Sequence, residues 1–233
     1  IGSIIALYYL TNSNYDINKM FLSIRNCFKE RFDLTQYAVC VREFIFDNMT
    51  EDLNCVNNIL HITYYDIVLG KQIVQNTFNS REHLLDCIIR SSHIPYISNK
   101  EFKYKARYLD GITPHVFRDN KRPVLFVTMV TNSNYHRVFN TKNESTVNER
   151  LLLGINDVNI FVSTGKSEMC SYYNEWSIWS ILSLRVREFI FICIIIIIEI
   201  YTTLYKFIPS CIRESKCFTL FTKISYSVYH DIM

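Results

Sequence analysis

The stretch from Phe189 to Ile198 sets the tightest limit on how this chain can fold. It is ten apolar residues in a row, with five successive isoleucines at 194–198. After Glu199 the apolar character resumes through Leu204 to Ile208 and stops at Pro209. A helix apolar on every side is either enclosed by protein or bathed in lipid. The 20 residues 189–208 match the thickness of a bilayer core. On an insertion scale, the nine Ile and Phe residues of the first ten contribute about −4 kcal/mol and the central Glu about +3, so the balance is slightly favourable. Arg185, Arg187, Lys206, Arg213 and Lys216 flank the run on both sides. This favours a membrane segment over a buried terminal helix, and the symmetry of the flanks leaves its orientation open. The expected division is a folded domain at 1–180, a hydrophobic membrane segment at 181–208 and a basic tail at 209–233.

Upstream of that run the composition is that of a globular domain. With 49% apolar and 20% charged residues the chain is not intrinsically disordered. A net charge of +3 is too small for a dedicated nucleic-acid binder, so no nucleic-acid partner is expected. Eight cysteines are scattered without a C-x-x-C pair. That argues for reduced, buried thiols and against a zinc site, and neither metal nor cofactor is expected. The chain begins at Ile1 and reads as truncated or processed, with no basic segment of a signal peptide before the first apolar residues.

Helical and strand patterns alternate, which predicts an α/β class. Residues 3–10 read as a buried helix. Ile17, Phe21, Ile24 and Phe28 recur at helical steps over 17–31, with Asp16 as the N-cap. Residues 59–68 are rich in β-branched and aromatic types and predict a strand, followed by a turn at Gly70-Lys71 and a hairpin partner at 72–78. Ser80 caps a helix at 81–91. A short strand at 106–109 runs into Asp110-Gly111, residues 123–130 read as a buried strand, and a helix covers 146–161.

Several motifs fail on inspection. Thr164-Gly165-Lys166-Ser167 resembles the end of a phosphate-binding loop, but the glycine needed five positions before Gly165 is Ile160. His83 and Cys87 lie four apart on a helix without a second pair of ligands. His115 follows Asp110 by five residues, yet nothing assigns it a partner in a triad.

One ordered set of motifs is sharper. Ile1-Gly2-Ser3-Ile4-Ile5-Ala6-Leu7 looks like the end of a nucleophile elbow, in which a final glycine lets the helix depart close to the strand. Ser91-Ser92-His93-Ile94-Pro95 follows, then Tyr108-Leu109-Asp110-Gly111-Ile112 and Pro114. In this order the motifs resemble the patatin-like phospholipase family, and Leu60 through the Gly70-Lys71 turn resembles that family's central hairpin. The resemblance spans about residues 1–165 and extends to giant-virus sequences, in keeping with the many Ile, Asn and Tyr residues.

The resemblance implies a three-layer α/β/α hydrolase fold with a C-terminal hydrophobic helix, and a Ser-Asp dyad. The serine would be the residue immediately before Ile1, Asp110 its base, and Gly2 and Gly111 the supporting glycines. A serine hydroxyl is a weak nucleophile until an adjacent base activates it. The implied activity is lipid acyl hydrolysis on a phospholipid or another acyl lipid. The implied location is the cytoplasmic side of a host or viral membrane. Ile112 departs from the pattern, since the family carries Gly or Ala there, and a β-branched residue tolerates fewer backbone conformations. The alternative is therefore a non-catalytic, degenerate patatin-like protein acting as a membrane-associated interaction or structural element. Between Lys100 and Arg122 seven Lys or Arg accompany three Asp or Glu. This excess would draw anionic headgroups toward Asp110 or would form an ordinary solvated loop.

Overall fold

A computed structural model describes residues 2–31, 33–111, 115–117, 123–128, 147–205 and 207. Helix and sheet are mixed along the chain, in keeping with an α/β class. The chain divides into two compact units, Ile1–Val116 and Phe117–Met233.

The first unit begins with three helices, α1 (Gly2–Thr11), α2 (Ile17–Arg31) and α3 (Thr35–Asn48). Asp16 starts α2 by accepting the amides of Asn18 and Lys19 at 3.0 and 3.1 Å. The helix α3 was not expected from the sequence, although Tyr37, Cys40, Val41, Phe44 and Ile45 form an unbroken i, i+3, i+4, i+7, i+8 stripe, and all five are buried. Asp33 secures its start, accepting from the Thr35 hydroxyl at 2.6 Å and the Thr35 amide at 3.2 Å.

A three-stranded antiparallel sheet follows, with β1 (Ile62–Asp66) at its centre between β2 (Lys71–Gln75) and β3 (Tyr108–Asp110). The expected strand at 59–68 is cut short at Asp66, whose carboxylate accepts the amides of Val68 and Leu69 at 3.0 and 3.1 Å and so turns the chain. Gly70 closes that turn at φ +62°, a conformation glycine adopts without penalty. Alternation along β1 buries Ile62, Tyr64 and Asp66 on one face. Against that face packs α4 (Arg81–Arg90), capped by Ser80, whose hydroxyl accepts the His83 amide at 3.2 Å. Ile4 and Leu7 of α1, Val41 and Phe44 of α3, and Leu84 and Ile88 of α4 join Ile62 and Tyr64 in one core.

Charged groups pin the long connection between α4 and β3. Arg107 grips the buried carboxylate of Asp66 through Nε at 2.9 Å and Nη2 at 2.7 Å. Asp86 on α4 accepts from Tyr104 at 2.9 Å and Lys105 at 2.7 Å and pairs with Arg90. The Arg90 guanidinium in turn lies over the Tyr108 ring at 4.0 Å. Tyr96, Lys100, Lys105 and Ala106 all take positive φ within this connection. Non-glycine residues there cost roughly 1–2 kcal/mol each.

In the second unit, β4 (Leu125–Val127) pairs antiparallel with β5 (Cys170–Tyr172), and α5 (Val147–Thr164) precedes β5. A 3₁₀ turn (Tyr173–Glu175) leads to α6 (Ile178–Tyr205). The expected buried strand at 123–130 is corrected here. Its described core is three residues long, with Leu125 and Val127 exposed because the two-stranded sheet leaves that face uncovered. Phe126 packs on Trp176 instead, ring centres 4.7 Å apart. The compositional boundary at residue 180 falls near the start of α6, and the expected basic tail at 209–233 lies outside the described residues. Cys27, Cys40, Cys55, Cys87, Cys170 and Cys193 are free thiols. Among the described residues, no helix is long and apolar enough to cross a membrane.

Asp86 predicts a pH dependence. Burial opposes its ionisation, but hydrogen bonds from Lys105 and Tyr104 and the charge of Arg90 prevail and hold its pKa below the usual 3.8. A depressed carboxylate contributes stability above its unfolded pKa and loses it as pH falls through the folded value. Asp86→Asn should cost about 1–2 kcal/mol at pH 7, and the gap should narrow below about pH 4. Urea midpoints of both proteins across pH 3–7 measure this. A gap that stays constant would show that the charge of Asp86 contributes nothing.

Candidate active site

Asp110 is the last residue of β3 and stands opposite Tyr64 on the central strand. Alternation places it on the same face as Tyr64 and Tyr108, the face that α4 covers. The residue that follows is fixed by a hard contact. A Cβ on Gly111 would lie 2.4 Å from the Thr63 carbonyl oxygen and 2.7 Å from the Thr63 hydroxyl. Only glycine fits against the backbone of β1 at this point. Gln72 of β2 also reaches across to donate to the Gly111 carbonyl at 3.3 Å. Asp110 thus sits between a paired strand and a clamped glycine, with its side chain partly exposed.

The C-terminal end of α4 brings other elements to this place. In the last turn of the helix the Ile88 carbonyl accepts the Ser91 hydroxyl at 2.9 Å and the Ser92 hydroxyl at 2.5 Å. Ser91 Oγ lies 3.1 Å from Ser3 Oγ in the first turn of α1. Ser92 Oγ is hydrogen-bonded to the Tyr37 phenol of α3 at 3.0 Å. The His93 carbonyl accepts the Asp110 amide at 3.2 Å. Three consecutive residues therefore hold the start of α1, the start of α3 and the end of β3.

Two titratable groups in this knot are far from their ordinary behaviour. Burial pushes the Tyr37 phenol up to about 12, and the negative charge of Asp110 adds to that effect while the Ser92 hydrogen bond opposes it. The His93 ring is 1% exposed, and burial pushes its pKa down. The backbone of Phe102 and Glu101 lies near enough to favour the charged imidazole, yet among the described residues neither ring nitrogen makes a hydrogen bond. A neutral ring beside Tyr104, ring centres 5.9 Å apart, follows from that setting. Tyr37 was not among the residues expected from the sequence. Its signal was the helical stripe of α3, which places it one turn from Cys40 and Val41.

The remaining sequence candidates fall elsewhere. Gly2 opens α1, and a Cβ there would meet nothing within 4 Å. Ile112 and Pro114 lie outside the described residues. His115 is exposed. Of the basic residues near Asp110, Lys105 and Arg107 are engaged with Asp86 and Asp66, as a solvated structural loop requires. Arg118, Lys121 and Arg122 lie outside the described residues. The Ser167 hydroxyl donates to Asp157 at 2.6 Å, and the amides of Glu168 and Met169 point at the same carboxylate at 3.2 and 3.3 Å. An internal carboxylate thus occupies the place a bound phosphate would take. His83 Nδ1 accepts the Asn79 amide at 3.3 Å, and Cys87 is buried in the core. Among the described residues no group of three or more His, Cys, Asp or Glu could hold a metal ion. A hollow of about 450 Å³ lined by Tyr8, Tyr9, Leu10, Asn12 and Ser13 lies at the far end of α1 from Ser3.

Chemically, the junction gathers the strand-end residue Asp110, the hydroxyl groups of Ser3, Ser91, Ser92 and Tyr37, and the buried imidazole of His93 on adjoining elements. A carboxylate can take a proton from a hydroxyl brought within hydrogen-bond reach. The clamp on Gly111 is open to direct test. Gly111→Ala should destabilise the protein by about 2–3 kcal/mol, because the opposing atoms are backbone and cannot move aside. The urea midpoint should fall with an unchanged slope. A neutral substitution would mean that β3 does not approach Thr63 as described.

No protein-family model matches this chain, and neither does any curated protein sequence or solved structure.

Proposed function

We propose that this chain belongs to a patatin-like lipid acyl hydrolase with a three-layer α/β/α fold. In this reading Asp110 is the base of a Ser-Asp dyad, and the nucleophilic serine is the residue preceding Ile1. The substrate is an acyl ester of a phospholipid or related lipid. The observation that carries the reading is the junction at the end of α4. Ser91 contacts Ser3 in the first turn of α1 at 3.1 Å, and two residues later His93 holds the Asp110 amide at 3.2 Å. A serine placed just before α1 would enter the neighbourhood of Asp110 along this route. There the carboxylate would take the hydroxyl proton as the oxygen attacks the ester carbonyl, then give that proton to the departing alcohol as the ester C–O bond breaks, leaving an acyl-enzyme that water hydrolyses to the free acid and the serine. The clamp on Gly111 supports the same reading, since a base must be held still to act.

The apolar run at 189–208 serves in this reading to hold the enzyme at a membrane. Phe189, Ile190, Ile196 and Ile197 are exposed along α6, and Trp179 near its start is 78% exposed. Contact with lipid would remove that surface from water at roughly 25 cal/mol per Å².

Two measurements test these statements. On a short-chain nitrophenyl ester the 233-residue chain should be inactive, and a chain extended at its N-terminus through the elbow should turn over. In the extended protein Asp110→Asn should lower kcat by about 10²–10⁴, the scale for losing a general base, while His115→Ala should stay close to wild type. Turnover by the 233-residue chain that survives Asp110→Asn would sink the dyad. Separately, alkaline carbonate extraction should leave the full chain in the membrane pellet and release a chain ending near Ser180. If both remain in solution without detergent, the apolar run has no role at a membrane.

A further inference from the structure

The proposed chemistry makes no use of the His93 side chain, yet the residue sits where the end of β3 is held. Its ring is 1% exposed, and among the described residues neither ring nitrogen makes a hydrogen bond. Its carbonyl accepts the Asp110 amide at 3.2 Å. An apolar side chain would fill such a place at no electrostatic cost, whereas an imidazole changes its charge between pH 5 and 8. The connection that follows packs against the ring. Tyr104 lies beside it, ring centres 5.9 Å apart, and the backbone of Glu101 and Phe102 is close by. Ser98 draws that connection tight, its hydroxyl accepting the Ile94 amide at 2.8 Å and donating to the Ser92 carbonyl at 3.2 Å. The Glu101 carbonyl accepts the Tyr96 amide at 2.9 Å. Tyr96 and Lys100 take positive φ, so the closed connection holds strain that opening would release.

We propose that His93 is an acid-sensitive latch on the end of β3. With the ring neutral, the residue stays packed against the 94–104 connection and its carbonyl holds the Asp110 amide. With the ring protonated, the imidazolium moves out to water, the connection opens and that hydrogen bond is lost. The physical reason is hydration, since an enclosed charge without a partner is far costlier than an enclosed neutral polar group. The surrounding groups do not supply that partner. Glu101, from the connection, favours the charged ring, and burial outweighs it. The Tyr104 hydroxyl and Lys105 are engaged with Asp86, which also pairs with Arg90 of α4. Asp110 meets His93 through its amide, and the Tyr37 phenol of α3 is joined to Ser92. An unfolded imidazole takes up its proton at about pH 6.5, and the enclosed ring does so only at lower pH. The closed form therefore keeps its full stability above that pH and loses it as pH falls below. The latch belongs to the fold and does not depend on the hydrolase reading.

Two NMR measurements on the 233-residue chain test the latch. One is a ring-nitrogen titration of His93, whose midpoint should lie below the ordinary value of about 6.5. The other is hydrogen exchange at the Asp110 amide, corrected for the intrinsic effect of pH on exchange. Protection of that amide should fall about tenfold from pH 7 to pH 5.5, the effect of one proton taken up by the open form. It should also lie below the protection of the Val41 amide in α3 at both pH values, because the latch opens without unfolding the core. His93→Leu keeps the carbonyl and fills the same space without a charge, and its Asp110 protection should change by less than about twofold over this range. If His93→Leu fails to fold, the wild-type midpoint and the comparison of the two amides decide the matter alone. Asp110 protection that stays constant overturns the proposal, and so does protection equal to that of Val41 throughout, which would mean that only the whole fold opens. An equal fall in His93→Leu overturns it as well, since another group would then carry the effect of pH.

Discussion

The space beside Gly111 admits a hydrogen atom and nothing larger. The opposing group is the carbonyl of Thr63, which belongs to the central strand and cannot yield without breaking the pairing of β1 with β2 and β3. That contact decides where β3 ends, since no residue with a side chain can continue at this spacing. It also decides the character of Asp110. A carboxylate inside a sheet would be buried and costly, and one on a free loop would be solvated and imprecise. At the last paired position of a clamped strand it is fixed through its backbone and still partly open to solvent. The strained connection that precedes β3 is tolerated for the same reason. Four non-glycine residues between 96 and 106 take positive φ; the ion pairs of Lys105 with Asp86 and Arg107 with Asp66 anchor the end of this segment, and the Tyr96 amide is held by the Glu101 carbonyl at 2.9 Å.

The second organising element is the chemistry of a helix end. The last carbonyls of a helix lack partners within it and must find them elsewhere. At α4 the Ile88 carbonyl takes two hydroxyl groups at once, from Ser91 and Ser92. Each serine oxygen, having given its hydrogen to Ile88, keeps acceptor capacity for a group on another element. One meets Ser3 of α1 and the other meets Tyr37 of α3. Two small polar residues at a helix terminus thereby join three elements far apart in sequence. The buried, unpartnered imidazole of His93 beside them is the costly member of the set, about 1–3 kcal/mol for polar atoms without hydrogen bonds. Its carbonyl is nonetheless the group that holds the Asp110 amide, so the residue secures the strand end through its backbone while its ring stays neutral.

These features were unequally legible in the sequence. Local signals were read well. Asp16 and Ser80 cap the helices they were expected to cap, and the hairpin about Gly70 pairs in the expected order. The helix α3 escaped because its β-branched and aromatic residues, Val41, Phe44, Ile45 and Phe46, resemble a strand locally. Only the spacing from Tyr37 to Ile45 shows the helix. Without α3 the phenol joined to Ser92 could not be anticipated. The reverse error occurred at 123–130, where apolar residues were taken as buried and Leu125 and Val127 proved exposed, because burial depends on a covering partner that composition does not reveal. Asp110-Gly111 was legible as a motif. The reason a glycine is required there was not, since the contact with Thr63 joins residues 48 positions apart.

The two units treat apolar surface in opposite ways, and this bears on what the second is for. In the first unit the large apolar side chains of α1, α3, β1 and α4 converge on one core. In the second, α5 exposes Leu151, Leu152, Leu153, Ile155, Val158 and Val162, and α6 exposes Phe189 with Ile190 and Ile196 with Ile197. Successive residues on a helix point about 100° apart. On α5 Leu151, Ile155, Val158 and Val162 recur at three- and four-residue steps and form one stripe, while Leu152 and Leu153 and the adjacent pairs on α6 widen the exposed surface beyond it. A surrounding that meets the helix from several directions at once satisfies such a pattern, and lipid is the one that does so without specific contacts. These exposed side chains are the surface that the proposed membrane contact would cover, and that contact does not require any of the helices to cross the bilayer.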